Sequence, residues 1–117
     1  MDVVSGQISV IDLPHLPPPS MRASAARVLD VVAESYSITV YELCGRDRHK
    51  CVAEARLVAY WLLRSSTRFS FPEIARAIGN RDHTTVIQGV KSCQRRRDSD
   101  AWFRSNTDAM LEAIGGT

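Results

Sequence analysis

Apolar residues recur with a helical period in the segment that follows Ser20. They fall at positions i, i+3, i+4, i+7 and i+11, which is the spacing of one face of an α-helix. Because a turn takes about 3.6 residues, the pattern predicts an amphipathic helix of about four turns with Ser20 as its N-cap. The residues that we expect in the core are Ala25, Val28, Leu29, Val32 and Tyr36.

Two capping boxes mark the starts of two short helices. In the first, Thr39 is followed three residues later by Glu42, and the helix is predicted to end at Gly45. In the second, Ser70 is followed in the same way by Glu73. The apolar positions of the second helix are Ile74, Ala75 and Ile78.

A long helix is predicted between these two, after a basic segment at residues 46–50. Its apolar residues again follow the spacing of one helix face, so we expect it to be the central helix of the fold. These residues are Ala55, Val58, Ala59, Leu62 and Leu63.

The pattern then predicts a helix-turn-helix. Gly79 ends the second short helix, and Asp82 is a good N-cap for a new helix that runs to about Arg97, across a turn of about three or four residues. The new helix separates its polar from its apolar residues, as expected of a recognition helix docked on a core, although any amphipathic surface helix would share this pattern. Its polar side holds Thr84, Gln88, Lys91 and Arg95, and its apolar side holds Val86, Ile87, Val90 and Cys93.

The two ends of the chain complete the predicted organisation. A last helix is expected from near Ser99 to Gly115, which gives an all-α bundle over residues 21–117. Residues 1–20 contain Pro14 and three consecutive prolines at 17–19, so they are predicted to form an extended arm. A chain of 117 residues suits one such domain with an arm.

Charge is strongly segregated along the chain. The net charge is +2, but residues 44–97 carry twelve basic and four acidic side chains. Residues 1–43 and residues 98–117 each have a net charge of −3. A basic centre between acidic flanks is expected of a domain that offers one face to phosphate, while an ordinary solvated surface is the alternative.

The first turn of the predicted recognition helix has the chemistry needed to read base edges. Asp82 can cap the helix through the N–H groups of Thr84 and Thr85, and can also accept from a cytosine amino group. The Thr84 methyl group can contact a thymine methyl group, and His83 can donate or accept. The alternative is that His83 is buried or serves only to cap the helix.

These residues closely resemble a known signature. The stretch 80–87 resembles the run Gly-Gly-Arg-Asp-His-Thr-Thr-Val of the C-terminal DNA-binding domain of the bacterial replication initiator DnaA, with Asn80 in place of the second glycine. Residues 43–56 resemble the basic loop of that domain, and residues 70–74 the start of its first helix-turn-helix element. The resemblance extends over residues 23–113 and implies the Trp-repressor-like helix-turn-helix fold of DnaA domain IV.

The resemblance also implies roles for individual residues. Arg48 matches the arginine that enters the minor groove, while Asp82, His83 and Thr84 match the residues that read bases in the major groove. Glu54 and Ala55 replace an arginine and a proline of the family, which implies lower affinity or a changed site. The expected phosphate contacts are Arg46, Lys50, Arg56, Arg64, Arg81, Thr85, Gln88 and Lys91. Arg95, Arg96 and Arg97 lie at the C-terminal end of the predicted recognition helix. We expect their positive charges to interact favourably with the helix dipole there rather than to bind phosphate.

Several other classes of function find no support in the sequence. There is no G-x-x-x-x-G-K-[ST] loop, so neither nucleotide binding nor ATP hydrolysis is expected. Four residues could be drawn as a zinc site but lack the short paired spacing of structural zinc ligands: Cys44, His49, Cys51 and Cys93. We therefore expect no catalytic residues, no metal and no cofactor. No apolar run is long enough to span a membrane, which favours a cytoplasmic, nucleoid-associated protein.

The sequence thus predicts a protein that binds double-stranded DNA at a DnaA-box-like site and regulates transcription or replication initiation. The alternative is an adaptor that acts through protein contacts, since Ile8, Val10 and Leu13 partly alternate and could pair with a partner or a second copy. Disorder of residues 1–20 is the other interpretation of that segment. RNA or single-strand binding is less favoured, because the aromatic residues are expected to pack inside: Trp61, Phe71, Trp102 and Phe103.

Overall fold

A computed structural model describes residues 19–46 and 48–115, and every regular element in these ranges is an α-helix. The predicted all-α class is therefore confirmed. No helix within these ranges is both long enough and apolar enough to cross a membrane. The helices are α1 (Pro19–Tyr36), α2 (Val40–Cys44), α3 (Lys50–Ser66), α4 (Phe71–Ala77), α5 (His83–Ser99) and α6 (Ala101–Gly115).

Both predicted capping boxes are present. The Thr39 hydroxyl accepts from the Glu42 N–H at 3.0 Å, and the Glu42 carboxylate accepts from the Thr39 N–H at 2.8 Å. Ser70 and Glu73 make the same exchange at 3.3 and 2.7 Å. The starts of α2 and α4 are confirmed because side chains within the first turn satisfy the free N–H groups there.

Helix ends differ from the sequence predictions by one or two residues. Helix α1 begins at Pro19, so Pro19 and Ser20 belong to it, whereas the rest of the predicted arm, residues 1–18, lies outside the described residues. Proline suits a first helical turn, where no intrahelical N–H bond is lost. Helix α6 begins at Ala101 because the Asp100 carboxylate accepts from the Phe103 N–H at 3.0 Å and caps it.

Helix α3 is the central helix, as predicted, and it contacts each of the other described helices. This contact on several sides explains why six consecutive residues, 58–63, are buried. The predicted apolar face accounts for only part of that burial, since Tyr60 and Trp61 are also buried. The other helices close around α3 with a single core, in which the largest fully buried side chains include Phe69, Leu43, Leu62, Leu63 and Ile74.

The crossing of α3 and α5 depends on Gly89, which the polar–apolar pattern did not single out. A Cβ atom at Gly89 would overlap the Tyr60 ring and lie 3.1 Å from Leu57 Cδ2. Gly89 is buried and lets the two helices approach closely. Gly89 therefore sets the position of α5 on the core, six residues beyond the first residue of that helix, His83.

A polar network joins three helices on another side of the core. The Glu54 carboxylate of α3 pairs with Arg96 of α5 and accepts from the Tyr36 hydroxyl of α1 at 2.7 Å. Burial acts most strongly on the pKa of Glu54 and raises it, but the bonds from Arg96 and Tyr36 and the nearby cations outweigh burial and lower the pKa overall. Burial and Glu54 raise the pKa of Tyr36. Glu54 is therefore held as a carboxylate that ties α1, α3 and α5 together.

We expect Glu54→Gln to destabilise the protein in a pH-dependent way. Because the folded state lowers the pKa of Glu54 below its ordinary value of 4.5, the carboxylate contributes stability above that pH and loses it as the pH falls through the lowered value. Since the pair with Arg96 is partly exposed, we expect a loss of about 1 kcal/mol at pH 7 that shrinks toward zero near pH 3. Urea unfolding followed by circular dichroism from pH 3 to 7 measures this difference.

The matched control is Glu112→Gln on the exposed side of α6, which should change the free energy of unfolding by less than about 0.5 kcal/mol throughout. A Glu54→Gln penalty that stays constant with pH would contradict the assigned network.

Candidate nucleic-acid interface

The turn before α5 is closed by Asp82. Its carboxylate accepts from the Thr84 N–H at 2.8 Å, and its backbone is extended, as an N-cap requires. His83 follows as the first residue of α5, with 59% of its side chain exposed and Nδ1 3.9 Å from the Asp82 carboxylate. The alternative of a buried His83 is therefore wrong, and the cap is supplied by Asp82. Thr84 is also exposed, so all three predicted base-reading residues face solvent.

The connection between α4 and α5 uses two consecutive left-handed residues. Gly79 has φ of 76° and Asn80 has φ of 58°. Asparagine is among the few residues that adopt this conformation readily, so Asn80 takes the place of a glycine without changing the turn. The Arg81 N–H then donates to the Ala75 carbonyl at 2.8 Å and folds the turn back onto α4.

The two sides of α5 are separated as predicted. Val86 and Cys93 are buried, and Ile87 and Val90 are half-buried. Every polar residue predicted for the outer face is exposed, namely Thr84, Gln88, Lys91 and Arg95, and Thr85 is exposed as well. The N-terminal part of α5 can thus enter a groove with its polar residues outward while the opposite side stays on the core.

The basic loop lies beside this turn. Arg46, Arg48 and Lys50 are exposed, and Asp47 lies outside the described residues. The loop begins after Gly45, whose carbonyl accepts from the Arg81 guanidinium of the turn. This contact places the start of the basic loop, at Gly45, against Arg81, which precedes Asp82.

Three arginines predicted to contact phosphate make internal contacts. Arg56 donates to the carbonyls of Glu42, Leu43 and Gly45 at 2.8–3.0 Å, and so caps the C-terminus of α2. Arg64 donates to the Phe69 carbonyl at 3.1 Å and stacks over the Phe71 ring. Arg81 is half-buried and bound to Gly45. Phosphate contacts by Arg56, Arg64 and Arg81 stay predictions, because in this structure the three side chains donate to backbone carbonyls of the domain.

Two of the three arginines at 95–97 also bind residues of other helices. Arg96 pairs with Glu54 and lies over the Phe103 ring. Arg97 pairs with Asp108 at 2.8 Å and lies 4.1 Å from the centroid of the Trp61 ring. Both join α5 to other helices, which the sequence interpretation missed because these partners are distant along the chain.

Comparison with known proteins decides the family. Residues 25–93 match the family model described as the bacterial dnaA protein helix-turn-helix. The match covers more than half of the chain, including the basic loop and the first turn of α5. The chain belongs to this DnaA family.

The relatives of this DnaA-type domain are replication initiators. The chain is 41% identical over 85 residues to the chromosomal replication initiator protein DnaA of Dechloromonas aromatica, covering 73% of this chain and 18% of the relative. It is 40% identical over 93 residues to the same protein of Chloroflexus aurantiacus, covering 80% and 19%. The chain thus spans about a fifth of the length of these relatives.

The fold agrees with a solved structure of the same kind. A crystal structure titled as a DNA replication initiation factor matches with a TM-score of 0.73 at 29% identity, over 80% of this chain and 29% of that chain. The predicted DnaA domain IV type of helix-turn-helix is therefore confirmed.

The departures from the DnaA pattern have structural explanations. Ala55 is fully buried against the core. The lower affinity or changed site that Glu54 implied stays a prediction, and in this structure the Glu54 carboxylate pairs with Arg96 and accepts from Tyr36. Its effect is therefore first on the packing of the DnaA-type domain.

Other side chains near the turn escaped the sequence interpretation. Arg76 is exposed in the last turn of α4 and lines a shallow depression with Pro72, Asn80, Asp82 and His83. Its basic character at a helix end was the only signal in the sequence. Trp102 was expected inside but is 72% exposed, at the rim of a groove between α1 and α6.

The cysteines are spread through the DnaA-type domain. Cys93 is buried, which raises the pKa of its thiol to about 12, and burial also raises the pKa of the half-buried Cys44. Cys51 is exposed. Within residues 19–46 and 48–115, no three His, Cys, Asp or Glu side chains are grouped so as to hold a metal ion.

Proposed function

We propose that this domain binds duplex DNA at an asymmetric, DnaA-box-like sequence and thereby regulates transcription or replication initiation. In this arrangement Arg48 enters the minor groove, and Asp82, His83 and Thr84 read bases in the major groove. The supporting observation is that the capped first turn of α5 exposes His83 and Thr84. The preceding residue, Arg81, is bonded to Gly45 at the start of the exposed basic loop. A nucleoid-associated location in the cytoplasm follows from such binding.

The charges around this surface suit a duplex. The cations of the loop, Arg46, Arg48 and Lys50, are exposed, and Lys91 is exposed further along α5. Phosphate contacts of this kind position a protein on DNA, while base-edge contacts give it sequence preference. The side chains for both kinds of contact are therefore accessible together.

The names of the relatives support a role in replication initiation. They are named as chromosomal replication initiators, and this chain matches about a fifth of their length, in the part that holds the helix-turn-helix. The proposed activity of the matched part is DNA binding, without ATP hydrolysis. The adaptor alternative depends on residues 1–20, and the described residues of that segment, Pro19 and Ser20, give it no support.

Fluorescence anisotropy with a DnaA-box duplex and a scrambled duplex of equal length tests the proposal. We expect the box to be preferred, and we expect Arg48→Ala and His83→Ala each to cost about 1–3 kcal/mol on the box and much less on the scrambled duplex. The measurement at two salt concentrations separates base contacts from phosphate contacts.

Arg104→Ala is the matched control, because it removes an exposed cation from α6 outside the proposed surface. It should change binding to either duplex by less than about 0.5 kcal/mol. Equal binding of both duplexes with the same salt dependence would contradict reading of a DnaA-box-like sequence.

A further inference from the structure

One backbone carbonyl connects the two DNA-contacting elements of the proposed function. The Gly45 carbonyl accepts from the Arg81 guanidinium and, at 2.8 Å, from the Arg56 guanidinium. Gly45 immediately precedes the basic loop that carries Arg48. Arg81 is 36 residues from Gly45 in sequence. It immediately precedes Asp82, His83 and Thr84, the residues proposed to read bases, which form the reading turn.

A second contact fixes the same two segments. Gly79 of the turn lies so close to α2 that a Cβ atom there would overlap the Cys44 carbonyl oxygen and lie 3.1 Å from the carbonyl carbon. The Cys44 thiol is 3.9 Å from the Ala77 carbonyl. The C-terminus of α2 and the turn are thus in backbone contact, and the Arg81 guanidinium closes this contact on the side of the loop.

We propose that Arg81 is a positioning residue that sets the spacing between the basic loop and the reading turn, so that Arg48 and His83 engage one duplex together. The inference rests on the proposed function. Two contact elements held at a fixed spacing bind more strongly than two that move independently, because the first contact raises the effective concentration of the second. The Gly45–Arg81 bond gives the loop and the turn this fixed spacing.

The state of the Arg81 side chain favours positioning over direct phosphate binding. Arg81 is half-buried, and its Nε atom is buried with no hydrogen-bond acceptor among the described residues. DNA cannot reach that atom without moving the turn. The exposed cations of the loop are better placed for phosphate, since they are accessible to solvent.

A double-mutant cycle between Arg48 and Arg81 tests the inference on the DnaA-box duplex. In the native background we expect Arg48→Ala to weaken binding about tenfold or more. In the Arg81→Met background, which keeps the length of the side chain without its donors, we expect Arg48→Ala to weaken binding less than about threefold. Arg81→Lys, which can still donate to Gly45, should restore part of the difference.

Lys91→Ala is the matched background, because it removes an exposed cation of α5 without touching Gly45. The effect of Arg48→Ala should be unchanged there within about twofold. If the effect in the Arg81→Met background also agrees with the native one within about twofold, positioning by Arg81 is wrong. An equal loss on both duplexes with a reduced salt dependence would instead assign Arg81 to phosphate.

A measurement on the free protein separates this inference from the proposed function. Backbone amide NMR of Arg81→Met should show shifted and more mobile signals for Gly45, Arg46 and Arg48, with α1 and α6 unchanged. An unchanged loop overturns the inference even if the native protein prefers the box. A native protein without that preference overturns the proposed function whatever the loop does. If Arg81→Met does not fold, Arg81→Lys carries both measurements with smaller effects expected, because a single ammonium restores only part of the contact that the guanidinium makes with Gly45.

Discussion

Gly79→Ala is expected to destabilise the protein by about 3 kcal/mol and to lower its melting temperature by roughly 10 °C. Two costs combine at this position. Gly79 has φ of 76°, which costs alanine about 1–2 kcal/mol. The added Cβ atom would also overlap the Cys44 carbonyl oxygen, which is a backbone atom that cannot rotate away. Thermal and urea unfolding followed by circular dichroism measure both quantities.

The neighbouring residue separates the two costs. Asn80 has φ of 58° but already has a Cβ atom, so Asn80→Ala introduces left-handed strain without a new overlap. We expect Asn80→Ala to cost about 1 kcal/mol. If Gly79→Ala costs no more than Asn80→Ala, the close contact between the turn and the C-terminus of α2 is wrong.

Arg56→Ala is expected to destabilise the protein by about 2–4 kcal/mol. The change removes hydrogen bonds to the carbonyls of Glu42, Leu43 and Gly45 and leaves the C-terminus of α2 without its cap. The Gly45 carbonyl keeps its bond from Arg81, and the Glu42 carbonyl keeps its bond from the Gly45 N–H. Each carbonyl nevertheless loses a charged donor in a half-buried site, where water replaces that donor incompletely. DNA binding should also weaken, since the basic loop begins at this helix end.

The comparison that separates capping from phosphate binding is Lys91→Ala. Lys91 is exposed on α5, so its loss should leave the free energy of unfolding within about 0.5 kcal/mol and reduce DNA affinity alone. Arg56→Lys should recover only part of the stability, because an ammonium group lacks the planar fork that spans several carbonyls. A fully stable Arg56→Ala protein with weak DNA binding would show that phosphate contact is the main role of Arg56.

Local features of the sequence predicted most of the fold. The capping boxes at Thr39 and Ser70 and the N-cap at Asp82 act within three residues, so they can be recognised without knowledge of the rest of the chain. The apolar faces of α1 and α3 were predicted for the same reason. Burial of Tyr60 and Trp61 could not be predicted from the same pattern, because it arises from helices that close around α3 from other directions.

The sequence also predicted part of the candidate site, namely the residues that are local to one turn. The run Arg81-Asp82-His83-Thr84-Thr85 located the reading turn from its residues alone. The tight crossing at Gly89 was not predictable, because a glycine on a helix face does not reveal that Tyr60 lies against it. The exposure of Trp102 was likewise decided by how α6 packs beside α1.

The sequence by itself determined where helices begin, which faces they bury and which turn carries the residues proposed to read bases, because caps and helical periods are local. Only the tertiary structure decided which arginines have partners within the domain. Arg56 binds carbonyls 11–14 residues away, and Arg96 binds Glu54 across 42 residues. A guanidinium is charged in every environment, so its partner is chosen by the packing of distant helices and not by its neighbours in the chain.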